Sequence, residues 1–335
     1  MLAAALADDT TGALEIGALL AKFQARILLQ SDSPPAGCDV AVFDTQTRHL
    51  PPAEAEASLF RYAKRLREAH TLWIYKKTDS TLRGPIGAEF DGLLEAFPER
   101  SLVYAPAYPR LGRTLADGIL RIHGTPVAET DFARDPLNPV TGSSVPALIA
   151  ATCRRASRVT IHDAEDEFEM EQIAESVWPA EEIAAGPAGF AGHWSRLLPL
   201  PATPPQKFPR IMTPVVVCGS LHPMSRCQAE AAHQLGVRVI LSPAQPAGDA
   251  QQIAQEMAQC AAKAVRDHHA DSLIVMGGDT ARAAFQALGC RELTSAGEVA
   301  PGVPLSFTES GLSVITKAGG FGEPDLVHGI LNRLT

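Results

Sequence analysis

Residues 2–12 read LAAALADDTTG, and this stretch indicates the fold. Residues 2–7 are a short apolar run, and residues 8–12 are a polar turn that ends in glycine. Residues 13–23 then place their large apolar side chains on one face at helical spacing, and Thr10 or Thr11 can cap that helix. A buried strand, a polar turn and an amphipathic helix in this order are typical of α/β proteins.

The same order recurs along the chain. Further apolar runs predict strands, and most of them are followed by a polar or glycine-rich turn and an amphipathic segment. These apolar runs lie at residues 40–43, 72–75, 101–105, 158–161, 215–218, 237–241, 273–276 and 311–317. Strands that alternate with helices predict a mostly parallel sheet covered on both faces. Ligands of such sheets bind at the carboxyl ends of the strands, where the polar turns fall.

A proline-rich stretch divides the chain. With 335 residues the chain is long enough for two domains, and residues 198–214 form the best candidate linker. We therefore expect an α/β protein with two Rossmann-like parallel-sheet domains, residues 1–205 and 206–335, and an active-site cleft between them.

Composition limits the class of protein. The net charge of −9 argues against a nucleic-acid partner, since such proteins usually carry a basic excess. No apolar run approaches the roughly 18–20 residues needed to span a bilayer, and residues 2–7 are too short for a signal-peptide core, so no membrane partner is expected. The six cysteines show no zinc-binding spacing and are typical of reduced thiols in a cytoplasmic protein.

Two adjacent carboxylates follow the first strand. Asp8 and Asp9 are the candidate catalytic residues, because an Asp at a strand end can accept the proton of an attacking hydroxyl. The alternative is that one aspartate caps the helix and the other is solvated.

Positive charge is concentrated at two other strand ends. The cations that can bind an anionic substrate are Arg48, Lys76, Lys77 and Arg83. The side chains that can bind hydroxyl groups are Thr78, Asp79, Ser80 and Thr81. A solvated charge run is the alternative. Arg110, Arg113 and His123 lie in a loop rich in proline and glycine and are weaker candidates.

Three strand–glycine–helix junctions in the second half of the chain predict a polyphosphate-binding site. Glycine allows the backbone to approach the ligand closely, and the helix that follows directs free N–H groups at it. The candidate residues are Ser220, Gly277, Gly278, Asp279, Thr280 and Gly319. The alternative is that these glycines are ordinary turn residues of an α/β protein. Asp279 caps the helix or holds Mg²⁺ through water. The chain contains no P-loop motif, and no Gly-x-Gly-x-x-Gly opens a helix.

Together these motifs resemble the four-carbon acid sugar kinases, which phosphorylate erythronate, threonate and 3-oxo-tetronate. The resemblance runs nearly end to end, through ADDTTG (7–12), DTQTR (44–48), KTDSTLRG (77–84), APAYP (105–109), GRT (112–114), DPLNPV (135–140), GS (219–220), GGDT (277–280) and KAGGFG (317–322). It implies that residues 1–205 bind the sugar acid, through Asp8, Arg48 and residues 77–80, and that residues 206–335 bind ATP.

The resulting hypothesis is an ATP- and Mg²⁺-dependent kinase. Arg48 and Lys77 bind the carboxylate of a sugar acid, and Asp8 or Asp9 deprotonates the hydroxyl of that acid. A non-catalytic sugar-acid or nucleotide sensor and an NAD(P)-dependent oxidoreductase are the alternatives. The sequence leaves open the substrate's stereochemistry, the base and assembly into a homo-oligomer.

Overall fold

Short strands alternate with helices through most of the chain, as the sequence predicts. The computed structural model describes all residues except 32, 34, 36, 136, 180, 205, 206, 244–249, 268, 319, 321 and 335. The strands are β1 (Ala3–Ala7), β2 (Arg26–Leu28), β3 (Val40–Asp44), β4 (Trp73–Lys77), β5 (Ser101–Tyr104), β6 (Arg113–Ala116), β7 (Ile119–Ile122), β8 (Thr125–Pro126), β9 (Val159–Ile161), β10 (Glu182–Gly186), β11 (Pro214–Cys218), β12 (Arg238–Leu241), β13 (Ser272–Met276), β14 (Glu292–Ala300), β15 (Val303–Thr308) and β16 (Ser313–Lys317). The α-helices are α1 (Thr10–Leu19), α2 (Pro52–Glu68), α3 (Ile86–Ala96), α4 (Val145–Thr152), α5 (Glu167–Ser176), α6 (Ala188–Trp194), α7 (Pro223–Gln234), α8 (Ala250–Asp267), α9 (Gly278–Ala287) and α10 (Leu326–Leu334).

The chain divides into two compact units. Unit 1 comprises Met1–Ile16 and Ser31–Pro201, and unit 2 comprises Gly17–Gln30 and Ala202–Thr335. The expected domain limits, 1–205 and 206–335, stay a prediction. They assign residues 17–30 to the first half of the chain, whereas these residues make their contacts with the second.

Unit 1 contains a parallel sheet with the strand order β3-β1-β4-β10-β5-β9. Strand β1, which lies between β3 and β4, consists of four alanines and Leu6, and all five residues are completely buried. A strand buried on both faces is expected where helices cover both sides of a parallel sheet. Strand β10, which lies between β4 and β5, was not predicted from the sequence.

Helix α2 illustrates how the local sequence determines its element. Proline at the first position and Glu54 in the first turn suit a helix start, and Arg65 and Arg67 in the last turn suit its end. Leu59 and Leu66 lie on the buried face. Antiparallel strands β6, β7 and β8 form a separate small sheet in the same unit.

Unit 2 contains a mixed sheet. Strands β12, β11, β13 and β16 run parallel in that order. The sheet then continues antiparallel through β15, β14 and β2. The parallel part was predicted, whereas the β14–β15 hairpin and the pairing with β2 were not.

No helix among the described residues combines the length and the apolar character needed to cross a bilayer. All six cysteines are free thiols.

Candidate active site

The carboxyl ends of three neighbouring strands in unit 1 are level with one another. Ala7 at the end of β1 is in register with Asp44 of β3 and with Lys77 of β4. The turns that follow these strands therefore meet at one edge of the sheet, and they bring together the predicted residues Asp8, Arg48 and Asp79, among others.

Arg48 is surrounded by three carboxylates. Its Nε donates to Asp8 Oδ2 at 2.7 Å, and its Nη1 donates to Asp9 Oδ2 at 2.6 Å. Its Nη2 lies 3.6 Å from Asp79 Oδ1. Each nitrogen of the guanidinium thus already faces a protein carboxylate, and this arrangement fixes the orientation of the two adjacent aspartates that the sequence singles out.

Asp8 is a buried, ionised acceptor. Burial by itself would raise the pKa of Asp8, but the charges of Arg48 and Lys77 outweigh it and hold that pKa below its usual value. Among the described residues no hydrogen-bond donor reaches Asp8 Oδ1, although this atom is buried. Lys77 Nζ lies 4.0 Å from it. A buried oxygen without a donor is an acceptor available to a ligand hydroxyl.

Asp79 is bound from several sides. Its carboxylate accepts from the backbone N–H and the hydroxyl of Thr81 and from Nε and Nη2 of Arg83, the last at 2.8 Å. Burial opposes ionisation, but Arg48 and Arg83 hold the pKa of Asp79 well below its usual value. The Nη1 of Arg83 donates to Asp135 Oδ2 at 3.1 Å. Asp79 and Arg83 therefore form a rigid side of the site.

Lys76 and Lys77 point to opposite faces of β4, as successive residues of a strand must. Lys76 is completely buried, and its Nζ lies 3.0 Å from Glu89 Oε1 of α3. Glu89 also accepts a hydrogen bond from the hydroxyl of Thr47. From the sequence Lys76 was grouped with Lys77, whereas the structure buries it in an ion pair with Glu89 that was not predicted. The alternation of side chains along a strand could have separated the two lysines.

Glu15 and Arg113 also belong to the charged cluster, and neither was among the main candidates. Burial raises the pKa of Glu15, and the charges of Lys77 and Asp9 act on it in opposite directions. Burial lowers the pKa of Arg113, and the charge of Asp79 opposes this shift. Glu15 lies on α1, about one helical turn after residues 8–12. Helical spacing could therefore have predicted that its side chain lies near this loop.

The other two predicted polar residues occupy the same turn. Thr78 is fully buried, and its backbone N–H donates to Gly186 O at 3.0 Å, which ties the turn to β10. Ser80 is half-buried. Both follow β4 directly, as predicted, but their role in substrate binding stays a prediction.

Unit 2 has a cavity of about 300 Å³ where its parallel strands end. Its walls include the predicted residues Ser220, Gly277, Gly278, Asp279 and Thr280. Gly319 lies outside the described residues. The cavity therefore gathers five of the six residues expected to bind the nucleotide.

Two glycines are required by the shape of this cavity. A Cβ at Gly219 would lie 1.9 Å from Thr280 Oγ1, so a larger residue there would force Thr280 out of its position in the cavity wall. Gly277 has a φ of +114°, which other residues rarely adopt. Its C=O accepts from the backbone N–H of Ala281, which starts α9 directly at the cavity. The free N–H groups at that helix end favour a phosphate.

Asp279 is exposed in the first turn of α9 and lines the cavity. A carboxylate in this position fits a Mg²⁺ ion bound through water beside a phosphate. Among the residues that the structure describes, no cluster of three or more His, Cys, Asp or Glu forms a dedicated metal site.

Lys317 ends β16, next to the cavity strand β13. The Nζ of Lys317 donates to Ser225 Oγ at 3.0 Å, and burial lowers the pKa of this lysine to about 8. Its C=O accepts from the backbone N–H of Gly277 at 3.1 Å. It helps to fix the glycine turn and was not predicted as a site residue.

Comparisons with known proteins match both units. Residues 3–159 match the family model described as a sugar-binding N-terminal domain, and residues 240–327 match a nucleotide-binding C-terminal domain. The chain is 32% identical to a D-threonate kinase of Bordetella bronchiseptica, over 86% of this chain and 84% of that protein. It is 28% identical to a D-threonate kinase of Salmonella typhimurium, over 95% of this chain and 94% of that protein.

Two solved structures are similar. A protein of Haemophilus influenzae, 21% identical, superposes with a TM-score of 0.79 over 99% of this chain and 100% of its own, which shows the same fold. A domain of unknown function from Bordetella bronchiseptica, 29% identical, superposes with a TM-score of 0.54 over 100% of this chain and 99% of its own. That domain holds citrate and forms a domain-swapped dimer.

The matches to both domain models and to relatives along most of the chain agree with the motifs of the two units. The chain therefore belongs to the four-carbon acid sugar kinase family and is an ATP-dependent kinase of small sugar acids.

Proposed function

We propose that this kinase transfers the γ-phosphoryl group of ATP to a hydroxyl of D-threonate. The observation that carries the choice of acid is the similarity to D-threonate kinases along most of the chain, in both units. D-Erythronate and 3-oxo-tetronate are the competing substrates within the family.

The catalytic residue of the proposal is Asp8. Its Oδ1 has no donor among the described residues, so it can accept a hydrogen bond from the substrate hydroxyl and take up the proton. Arg48 holds the opposite oxygen of the same carboxylate at 2.7 Å and keeps it oriented. The lowered pKa of Asp8 keeps it ionised at neutral pH. In a loose transition state the proton moves late, so orientation of the hydroxyl matters more than basicity.

Asp9 has a supporting role in this mechanism. Its Oδ1 accepts from the backbone N–H of Gly12 at 2.8 Å, and its Oδ2 accepts from Arg48. Both oxygens are engaged, so it stabilises the start of α1 and the orientation of Arg48. Thr78, Asp79, Ser80 and Arg83 complete the proposed sugar-acid site, with Lys77 beside the reacting hydroxyl.

The nucleotide part of the proposal rests on the cavity of unit 2. The N–H groups at the start of α9 and the hydroxyls of Ser220 and Thr280 would bind phosphate oxygens. Mg²⁺, when bound, neutralises phosphate charge, with Asp279 as its protein-side partner through water. Gly319 keeps its predicted role in this site.

The experiment is a coupled ADP-release assay with ATP and Mg²⁺ and a panel of D-threonate, L-threonate, D-erythronate and 3-oxo-tetronate. The proposal predicts the highest kcat/KM with D-threonate and no release of ADP after chelation of Mg²⁺. A higher kcat/KM with another acid on the panel would refute the substrate. Binding of an acid without ADP release would favour the sensor, and a change in NAD(P)H absorbance would favour the oxidoreductase.

Three further expectations stay part of the proposal. Residues 1–205 carry the sugar-acid function and residues 206–335 the ATP function, the protein acts in the cytoplasm, and it is able to assemble as a homo-oligomer. The dimer formed by the related Bordetella domain supports only the last of these. Size-exclusion chromatography with light scattering tests it directly.

A further inference from the structure

Three guanidinium groups in unit 1 act on Asp79, those of Arg48, Arg83 and Arg113. Two of them are held by protein carboxylates. The nitrogens of Arg48 face three aspartates, and Arg83 donates to Asp79 and Asp135. To bind an acidic substrate directly, either group would have to give up a contact that it already makes.

Arg113 differs from the other two. Its Nε is buried and has no hydrogen-bond acceptor among the described residues, and no carboxylate of those residues forms an ion pair with it. Its backbone is fixed, because Tyr108 N donates to Arg113 O at 2.7 Å and Arg113 N donates to Tyr108 O at 3.1 Å. The guanidinium is therefore anchored at the start of β6 but is not neutralised by a direct contact.

A partly buried cation without a counter-ion is unfavourable, because its lost hydration is not replaced. The lowered pKa of Arg113 has this cause, and the charges of Asp79 and Glu15 offset it only from a distance. A carboxylate ligand would supply the missing partner, since the planar fork of arginine matches both carboxylate oxygens.

We propose that Arg113 binds the carboxylate of the sugar acid, and that Arg48 is a positioning residue that orients Asp8 and Asp9. This inference rests on the proposed function, because it names the group that recognises the acid. From the sequence we expected Arg48 and Lys77 to bind the carboxylate, so this inference assigns Arg48 a different role. Lys77, close to Asp8 Oδ1, then acts at the hydroxyl end of the substrate.

The test compares wild-type protein with Arg113→Gln, Arg113→Lys and the control Arg110→Gln. Arg110 lies in the same loop, but its side chain is 64% exposed and pairs with Glu167. Loss of a charge-assisted contact to a carboxylate predicts that Arg113→Gln raises the KM for D-threonate roughly 10- to 150-fold. The KM for ATP should stay within about twofold, Arg113→Lys should be intermediate, and the control should match wild type.

A merely structural role of Arg113 would lower the melting temperature and affect both substrates. The inference is overturned if Arg113→Gln leaves the KM for the acid unchanged, or if it weakens ATP and acid equally. If wild-type protein phosphorylates no four-carbon acid, the proposed function fails separately. Calorimetric titration with D-threonate then decides: loss of binding in Arg113→Gln supports the inference, whereas equal binding, or no binding to wild type, overturns it.

Discussion

Replacing Arg48 by methionine removes the guanidinium around which the carboxylates of unit 1 are arranged. Asp8 and Asp79 are only 2% and 4% exposed and would lose their nearest shared cation. Breaking a buried ion pair in this way costs about 3–5 kcal/mol, because a charge remains buried without compensation. In a unit of this size each kcal/mol lowers the melting temperature by about 2–4 °C, so we expect a decrease of roughly 6–20 °C.

The pH dependence of this loss has a defined sign. In the wild-type protein the folded pKa values of Asp8 and Asp79 lie below the unfolded value of 3.8. Their stabilisation is therefore fully present above that value and is lost as the pH falls through the folded pKa values. Asp79 keeps its bonds from Arg83, but Asp8 loses the largest charge that opposes its burial, so its folded pKa rises. The deficit of Arg48→Met should therefore be larger at about pH 7.5 than at about pH 4.5.

Urea unfolding followed by tryptophan fluorescence measures this effect in unit 1. Trp73, Trp178 and Trp194 are the tryptophans of the chain, and all belong to that unit. The control is Arg65→Met, which removes an exposed pair with Glu68 and should cost less than about 1 kcal/mol. A loss below about 1 kcal/mol for Arg48→Met, or an equal loss at both pH values, would refute the reasoning.

Two further predictions concern catalysis and nucleotide binding. Asp8→Asn keeps the hydrogen bond from Arg48 but removes the proton acceptor, so kcat should fall about 10²- to 10⁴-fold. The calorimetric Kd for ATP should remain unchanged, and unchanged turnover would reject the catalytic role. Gly219→Ala places a methyl group 1.9 Å from Thr280 Oγ1 and should weaken ATP binding and cost about 1–3 kcal/mol of stability. Gly329→Ala, where the added methyl group meets nothing within 4 Å, is the control and should bind ATP as wild type does.

The residues at the strand ends could be predicted because local pattern determines them. A buried strand followed by a polar turn places that turn at the carboxyl edge of a parallel sheet, wherever the strand lies in the order. Asp8, Arg48 and Asp79 were brought together for this reason. The glycine junctions at 219 and 277 could be found in the same way. Glycine is favoured at these positions because a Cβ at 219 would collide with Thr280 and because Gly277 has a positive φ.

The parts that were missed depend on contacts between distant residues. Strand β10 contains only five residues, EIAAG, and its place between β4 and β5 is a property of the sheet and not of its own sequence. The pairing of Lys76 with Glu89 is likewise a tertiary feature, and so is the absence of an ion pair at Arg113 among the residues that the structure describes. Arg113 falls in the GRT motif (112–114) and Arg110 does not, but this motif gives no sign that the guanidinium of Arg113 is buried without an ion pair among the described residues.

The pairing of β2 with β14 has a practical consequence for dissecting the protein. β2 is in register with residues 292–294 of β14 but precedes them by more than two hundred positions in the chain. A fragment that begins after the linker would expose the bare edge of β14, and exposed strand edges promote aggregation. An isolated nucleotide-binding fragment would therefore need residues 17–30 supplied as a fused or added peptide. Cleavage of the chain at one position cannot yield two intact units, because unit 2 consists of two separate segments.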